Sequence, residues 1–327
     1  MTPLRILIVT PAPPGTRHGN RTTAVRWSRH LRALGHRVDI ATAWTPGSGP
    51  ARHDLMVALH ARRSHAALAA WKSTHPERPA VLVLTGTDLY RDIREDASAQ
   101  RSLVIADRLV VLQEEGLNEL SRAQRAKACV VHQSVVAGAR ATPPKNSVLI
   151  TVIGHLREEK DPFRAALALA HLPDDSQIRV VHLGGAMDEV HAREAQALMR
   201  REPRYRWLGE LGHAQAMRWL ARSHAMVISS RMEGGAHVVS EAIALGVPVL
   251  ASRVSGNVGL LGRDYPGYYP VLQERALAAL MRRAETEPEF LAALGRAVRA
   301  RRPLTSPAAE RRALRDLLRE TRLPARR

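Results

Sequence analysis

The chain has 327 residues, enough for two domains with sizeable cores, and 45% of them are hydrophobic, as in typical globular proteins. The formal net charge is +18, but aromatic residues make up only 4%, whereas surfaces that bind nucleic acids usually combine basic residues with aromatic ones. We therefore expect no nucleic-acid partner. Only four of the 49 basic residues are lysines, so we interpret the charge first as a compositional bias towards arginine. The alternative is a positive field that attracts anionic substrates.

The cysteine content and the hydropathy pattern indicate the cellular compartment of the protein. Cys129 is the only cysteine, so it cannot form an intramolecular disulfide and fits a reducing compartment. The apolar start at residues 4–10 ends at a Pro/Gly turn within a few residues, which favours a buried strand over a signal peptide. No stretch approaches the roughly 18 apolar residues that span a bilayer. We expect a cytoplasmic protein without a membrane partner.

The first part of the chain alternates short apolar runs with helical patterns. Predicted strands cover residues 4–10, 38–43, 55–59, 80–85 and 108–113. Predicted helices cover about residues 21–34, 64–75 and 97–106. Such alternation is typical of a parallel, doubly wound sheet.

The same alternation restarts after the proline-bearing segment 137–147, which is the predicted linker. Predicted strands then cover residues 148–153, 178–183, 205–208, 225–229 and 248–251, with helices at 162–172 and 191–202 and from about 236. The fold class is therefore α/β, with two Rossmann-like doubly wound parallel-sheet domains facing a cleft. We place the N-terminal domain at residues 1–140 and the C-terminal domain at 148–300. A helical tail at 301–327 could pack back on the N-terminal domain.

The segment 228–251 carries the strongest chemical signal. A strand ends there in a glycine-bearing loop, and a helix follows, which places backbone N–H groups at the sheet edge where a diphosphate is stabilised. Glu233 lies in the loop and Glu241 on the helix, eight residues later. Two acids at this separation can address different parts of one ligand.

The Glu-x7-Glu pattern, followed by Ala-x-x-x-Gly-Val-Pro-Val, resembles the donor site of retaining GT-B glycosyltransferases of the family-4 type. The resemblance implies that Glu241 binds the ribose and Glu233 the donor sugar. It also implies that the backbone near the helix start meets the diphosphate or the sugar, at Gly234, Gly235, Ala236, His237 and Val238.

A second segment, 152–162, resembles the strand–Gly–Arg/Lys stretch of the same family. The resemblance implies that Gly154, Arg157 and Lys160 lie at the diphosphate, where cations stabilise the departing UDP. Leu208 and Leu211 match the segment that usually frames the nucleobase. The chain contains no Asp-x-Asp motif or metal-ligand spacing, so we expect no metal and no cofactor.

Three loops of the N-terminal domain follow predicted strands and form the predicted acceptor site. They are rich in cations and hydroxyls, which suits a small phosphate-like anion. The candidate acceptor residues are Gly15, Thr16, Arg17, His18, Gly19, Asn20, Arg21, His60, Thr85, Gly86, Thr87, Asp88, Tyr90 and Arg91.

A narrower resemblance rests on TPAPPGTRHGNRTTAVRW, LHARRS, LTGTDLYRD, DASAQRSL and ADRLVVLQ. Together these segments resemble the selenosugar synthases of selenoneine biosynthesis along essentially the whole chain. That family implies transfer of a sugar from a UDP-sugar, typically UDP-N-acetylglucosamine, to the selenium of selenophosphate. It also implies functional links to a selenophosphate synthetase and a downstream selenoneine synthase. The candidate catalytic residues are Arg157, Lys160 and Glu233 at the donor, with His60 or Asp88 as candidates to assist the water that removes the phosphoryl group from selenium.

Three alternatives stay open from the sequence. One is a family-4 glycosyltransferase with a hydroxyl acceptor. Another is a UDP-sugar 2-epimerase on the same scaffold, which needs no acceptor. The last is a non-enzymatic anion-binding protein.

Overall fold

A computed structural model describes residues 2–16, 19–47, 53–136 and 138–321. Among these residues, no helix combines the length and the apolar character that crossing a bilayer requires. The chain divides into two compact units, which are described separately. The first unit contains Met1–Ser134 and Pro307–Arg327, and the second contains Val135–Ser306.

The first unit is built on a parallel sheet of short apolar strands. Its strands are β1 (Arg5–Val9), β2 (Arg37–Ala41), β3 (Leu55–Leu59), β4 (Ala80–Val83), β5 (Arg108–Val111) and β6 (Ala128–Val130). The strand order is β2-β1-β3-β4-β5-β6, and every pair is parallel. The order reverses between β1 and β3, and ligands of such sheets bind at the carboxyl ends of the strands at this point.

Both faces of this sheet are covered, because successive residues of each strand point to opposite sides. Ile6 and Ile8 pack in the cluster that contains Trp27, whereas Leu7 and Val9 pack in the cluster that contains Trp71. The helices of this region are α1 (Gly19–Ala33), α2 (His65–Thr74), α3 (Ile93–Glu95), α4 (Ala97–Ile105) and α5 (Arg122–Arg125).

The second unit repeats this architecture. Its strands are β7 (Val148–Ile153), β8 (Ile178–Leu183), β9 (Tyr205–Trp207), β10 (Ala225–Ile228), β11 (Val249–Ser252) and β12 (Tyr268–Tyr269). Its helices are α6 (Arg164–Leu169), α7 (Glu189–Arg201), α8 (His213–Ala221), α9 (His237–Leu245), α10 (Ser255–Leu261), α11 (Glu274–Thr286) and α12 (Pro288–Ala300). The strand order is β12-β11-β10-β7-β8-β9, so the order reverses between β7 and β10.

The last helix, α13 (Pro307–Glu320), belongs to the first unit. Leu314, Leu317 and Leu318 pack in the same core cluster as Trp27. The tail expected from residue 301 therefore begins later, because residues 301–306 still belong to the second unit. Likewise, the chain passes between the units at Ser134, six residues before the expected end of the N-terminal domain.

The two edge strands β6 and β12 had no counterpart among the predicted strands. They have three and two residues, too few to show a period in the sequence. All ten predicted strands are present in the structure, with ends that differ by at most two residues. The sheet-forming signal was clear because both faces of each central strand are buried.

Candidate functional site

The candidate donor site lies in the second unit, where β7 and β10 end side by side. The segment after β7 carries Gly154, Arg157 and Lys160, and the segment after β10 carries Glu233. A small cavity here is lined by residues of both segments and by His182 of β8. The strand order reverses at this point, so the site coincides with the expected ligand position of a doubly wound sheet.

Lys160 and Glu233 form an ion pair across these two segments. The Nζ of Lys160 lies 2.5 Å from Oε1 of Glu233, and the hydroxyl of Ser230 donates to the same oxygen at 2.6 Å. Glu233 is buried and Lys160 is partly exposed. Both bonds reach Oε1, which leaves Oε2 for a ligand hydroxyl, and the ammonium keeps further donors for an anion.

Backbone contacts fix the two partners of this pair. The hydroxyl of Ser229 reaches the carbonyl oxygens of Lys160 at 3.0 Å and of Asp161 at 2.8 Å. A Cβ on Gly256 would lie 2.0 Å from the carbonyl oxygen of Glu233, so only glycine permits the approach of α10. The loop that carries Glu233 is therefore held from both sides.

Glu241 lies on α9, with its carboxylate buried and two histidines beside it. The Nε2 of His213 lies 2.7 Å from Oε1 of Glu241, and the Nε2 of His237 lies 3.6 Å from the same oxygen. The hydrogen bond with Glu241 raises the pKa of His213, and burial offsets part of the rise. Again one carboxylate oxygen carries the protein contacts and the other remains for a ligand.

The start of α9 is open to an anion. Ala236 occupies its N-cap position and offers no side-chain acceptor to the first-turn amides. Gly234 is buried and Gly235 is half-buried in the preceding loop, and His237 and Val238 form the first turn. The helix has nine residues, so its N-terminal amides and dipole favour a phosphate here.

His182 of β8 contacts the backbone that follows the end of β7. Its Nε2 donates to the carbonyl oxygen of Gly154 at 3.1 Å, so its Nδ1 accepts from the hydroxyl of Tyr205 at 3.1 Å. Burial lowers the pKa of His182 to about 4, against a smaller rise from the bond to Gly154. Gly184 also approaches Gly154 so closely that an added Cβ would lie 2.0 Å from its carbonyl oxygen. The neutral ring and the glycine together fix the start of the Gly154–Lys160 segment.

The remaining donor candidates, Arg157, Leu208 and Leu211, lie near this edge. Arg157 is exposed, and within the described part of the chain no acid pairs with its guanidinium. Leu208 and Leu211 are half-buried and pack in one cluster with Ile153 at the end of β7. His213 follows two residues after Leu211, which links this segment to Glu241.

In the first unit, Asp88 joins two of the predicted acceptor loops. One carboxylate oxygen accepts from the backbone of Thr85 and Gly86 at 2.9 and 2.8 Å, and the other accepts from the backbone of Ala61 at 2.9 Å. Asp88 is fully buried. This geometry gives Asp88 a structural role in fixing the loops, and it leaves no exposed oxygen to touch an acceptor.

His60 sits at the end of β3 in a left-handed conformation, with φ of 78°. Its Nδ1 accepts from the backbone N–H of Arg63 at 3.3 Å, so the proton of the neutral ring is on Nε2, which lies 3.3 Å from the hydroxyl of Thr87. Burial lowers the pKa of His60, although the charge of Asp88 offsets part of the effect. In this state His60 donates a hydrogen bond, and its lone pair is not available as a base.

Asp92 organises two arginines beside His60. The Nε of Arg62 lies 3.3 Å from one of its oxygens and the Nε of Arg91 lies 3.2 Å from the other. The carboxylate is buried, whereas both guanidinium groups are more than two-fifths exposed. The remaining N–H groups of the two arginines can therefore bind an anion from solvent.

The other acceptor candidates occupy the carboxyl ends of β1 and β4. The hydroxyl of Tyr90 accepts from Gln113 at 2.8 Å. Gly15 and Gly19 are exposed, and Thr16, Asn20 and Arg21 are half-buried. Arg17 and His18 lie outside the described residues. The strand order places the loop after β1 next to His60, because β1 and β3 are neighbours.

Several residues of both sites were not identified from the sequence. His182, His213 and Gly256 act through partners more than 20 residues away along the chain. Asp92 combines the adjacent Arg91 with the distant Arg62, and Ser230 contacts Glu233 three residues later. Asp92 is the last residue of the LTGTDLYRD segment, four residues after Asp88, which was the one available hint. Over the described ranges, no group of three or more His, Cys, Asp or Glu side chains could hold a metal ion.

The chain is similar to a known protein family and to a known protein. Residues 139–301 match the sequence model of a family described as glycosyl transferases group 1. A protein of Xenopus tropicalis named glycosyltransferase 1 domain-containing protein 1 is 23% identical over 299 residues, covering 83% of this chain and 85% of its own length.

Solved structures share the fold along nearly the whole chain. Anabaena HepE in complex with UDP and glucose superposes with a TM-score of 0.76 at 16% identity, over 97% of this chain and 99% of its own. Sucrose-phosphate synthase of Thermosynechococcus elongatus gives a TM-score of 0.77 at 17% identity, over 97% and 98%. The predicted fold class, GT-B with two Rossmann-like domains, is confirmed. The structures show the fold alone, and the family match over residues 139–301 supports a glycosyltransferase.

Proposed function

We propose that this GT-B glycosyltransferase transfers a sugar from a UDP-sugar to the selenium of selenophosphate. The carrying observation is the donor edge of the second unit, where two buried carboxylates each keep one oxygen for a ligand beside a lysine and an uncapped helix start. Such an edge matches the three parts of a nucleotide sugar: ribose, diphosphate and sugar.

On this proposal Glu241 accepts hydrogen bonds from the ribose through Oε2, and Glu233 accepts them from the donor sugar. Lys160, Arg157 and the first-turn amides of α9 bind the diphosphate. The donor class is also supported by HepE, which has a similar fold and was solved with UDP-glucose. We propose UDP-N-acetylglucosamine as the donor, on the resemblance to selenosugar synthases.

The acceptor proposal rests on the loops of the first unit. Arg62 and Arg91 present N–H groups to solvent beside the Nε2–H of His60, and Arg21 lies in the first turn of α1, which follows the neighbouring strand β1. A small phosphate-like anion needs such donors, whereas an apolar acceptor would not use them. Three of the segments that resemble selenosugar synthases, TPAPPGTRHGNRTTAVRW, LHARRS and LTGTDLYRD, contain these loops.

The reaction requires one substitution at the anomeric carbon. A lone pair of selenium forms the C–Se bond while the bond between the anomeric carbon and the β-phosphate oxygen breaks, and UDP leaves with that electron pair. Selenium in selenophosphate is already anionic, so no strong base is needed for its attack. Charge then collects on the departing UDP, where Lys160 and Arg157 stabilise it.

The phosphoryl group must leave selenium in a second step. Water attacks phosphorus, the P–Se bond breaks, selenium keeps the electron pair, and phosphate is released. His60 and Asp88 are both committed to loop contacts in this structure, so we assign them to orienting the acceptor rather than to activating this water. Arg62 and Arg91 would hold the phosphoryl oxygens during both steps.

The test is turnover of UDP-N-acetylglucosamine with and without selenophosphate, followed by mass spectrometry. The proposal expects UDP release only with selenophosphate, together with a selenium-bearing sugar. A hydroxyl-acceptor enzyme would instead release UDP with a sugar acceptor and leave selenophosphate intact. A 2-epimerase would convert the donor without any acceptor, and a binding protein would give no turnover. Lys160→Ala serves as the inactive control in each reaction.

A further inference from the structure

His213 is the most conspicuous polar side chain at the donor edge to which no role has been given above. It begins α8, and its ring is 72% exposed, yet its Nε2 lies 2.7 Å from a buried oxygen of Glu241. A surface side chain thus reaches a carboxylate that is only 6% exposed. No sequence motif predicted this contact, because the two residues are 28 positions apart.

The choice of histidine is informative in this chain. Only four of the chain's 49 basic residues are lysines, which leaves 45 arginines. Most basic side chains of the protein therefore carry a permanent positive charge. Within the described residues the partners recorded for Glu241 are two histidines, His213 and His237. The charge beside Glu241 can therefore be switched by protonation near neutral pH, which an arginine would not allow.

The surroundings of His213 contain few other titratable groups. Helix α8 packs on α9 and on β7, and its Ala216 shares a cluster with Val181 and Leu183 of β8, a strand that carries Arg179 and His182. From α9 the groups that face it are Glu241 and His237. Strand β7 has the sequence VLITVI and carries no titratable side chain. Glu210, on the preceding loop, lies beside Gly185, and Arg218 lies further along α8 itself.

We propose that His213 is a positioning residue for the donor nucleotide, and that its protonation strengthens donor binding. The inference rests on the proposed function. The imidazole holds Oε1 of Glu241, which orients Oε2 towards the ribose hydroxyls. When protonated, it also brings a positive charge to the edge where the diphosphate binds.

The direction of the pH effect follows from linkage. Glu241 raises the pKa of His213 in the unliganded protein, and an anionic diphosphate raises it further in the complex. The gain in donor affinity is then complete below the unliganded pKa and is lost as the pH rises through the higher pKa of the complex. We expect the dissociation constant to be about fivefold larger at about pH 8.5 than at about pH 5.5.

Calorimetry with UDP-N-acetylglucosamine provides the measurement, because its diphosphate has no proton that titrates in this range. His213→Gln keeps a neutral donor near Glu241, so it should bind nearly as well as the native protein at high pH and lose most of the gain at low pH. His213→Ala should bind more weakly at both pH values. His53→Gln is the matched control, since His53 pairs with Asp39 at 2.9 Å in the other unit.

The outcomes separate this inference from the function it builds on. If the native protein binds the donor with equal affinity at both pH values, or if His213→Gln keeps the native pH response, the inference is overturned. Affinity that rises with pH would also overturn it, and would mean that the protonated ring blocks the ribose oxygen. Absence of any donor binding would instead defeat the proposed function itself.

Discussion

The carboxyl edges of the two sheets use their acids in different ways. In the second unit, Glu233 and Glu241 each turn one oxygen to a basic partner, and on the proposed function the other oxygen binds the ligand. In the first unit, Asp88 is turned inward to backbone amides, and Asp92 holds two arginines whose outer N–H groups face solvent. On the proposed function, acidic side chains thus offer acceptors to a ligand in one unit, and in the other they orient arginines that donate to a ligand.

On the proposed function, this difference accounts for the binding of two unlike substrates by one scaffold. A nucleotide sugar has many hydroxyl donors, which require carboxylate acceptors, and a diphosphate, which requires a cation and a helix start. A small anion needs donors alone. The strand order brings the loops together in both units, but the orientation of the acids determines what each edge can bind.

The largest effect should come from Lys160→Ala. It removes the cation at the proposed diphosphate site and leaves the buried Glu233 without its ion-pair partner. We expect kcat to fall by about 100- to 1000-fold in steady-state assays. The control is Lys145→Ala, which changes an exposed lysine before β7. Equal rates for the two variants would contradict the assignment of Lys160.

The stability of the first unit, unlike that of the second, should depend on contacts of the last helix, α13. Glu310 of α13 accepts from Trp27 at 2.8 Å, from the backbone N–H of Ser134 at 2.9 Å, and pairs with Arg26 at 3.0 Å. Glu310→Gln should lower the free energy of unfolding of the first unit by about 3 kcal/mol, because it leaves Arg26 partly buried without its acid. Hydrogen exchange resolved by unit measures this, with the exposed Glu289→Gln as control.

The same carboxylate predicts an acid response. Burial would raise the pKa of Glu310, but His30, Arg26 and Ser134 together lower it to about 2. Its stabilisation is complete above the ordinary glutamate range and is lost as the pH falls from about 4.5 towards about 2. Glu310→Gln should flatten this part of the stability profile of the first unit, and an unchanged profile would argue against the ion pair.

A moderate effect is expected for Glu241→Ala. Loss of a buried charged hydrogen bond costs about 1.5–3 kcal/mol, which is roughly 10- to 150-fold in affinity. Calorimetry with UDP should show this loss with the fold intact, whereas Glu289→Ala should bind normally. Unchanged UDP affinity would remove the ribose assignment.

A smaller and more selective effect is expected for Arg21→Ala. It should raise the selenophosphate KM by about tenfold and leave UDP affinity unchanged, because the proposed donor residues all belong to the second unit. Arg29→Ala, an exposed change on the same helix, is the control. If Arg21→Ala weakened UDP binding as strongly as Lys160→Ala, the division of labour between the two edges would be wrong.

The smallest effect should follow metal removal. On the proposed function, the side chains of Lys160 and Arg157 and the N-terminus of α9 bind the diphosphate without a metal ion. Excess EDTA should therefore leave the rate unchanged. A complete loss that Mg²⁺ or Mn²⁺ restores would reveal a carboxylate site that neither edge accounts for. The measurement is a UDP-release assay before and after chelation.

The sequence by itself determined the two sheets and much of the donor edge. Central strands such as β3 and β10 are buried on both faces, so their apolar runs were unmistakable. Glu233 and Glu241 lie within one loop–helix segment, and Lys160 follows a strand closely. Their placement depended on short chain distances, which sequence patterns record.

Only the tertiary structure decided which protein groups each acid contacts, and so which acids the proposal assigns to a ligand. His213 meets Glu241 across 28 residues, and Lys160 meets Glu233 across 73. Asp88 looked like an acceptor-site carboxylate, but its oxygens turn to the amides of two loops. The orientation of a side chain depends on the partners that the fold brings to it, and those partners come from strands that are neighbours only in the sheet.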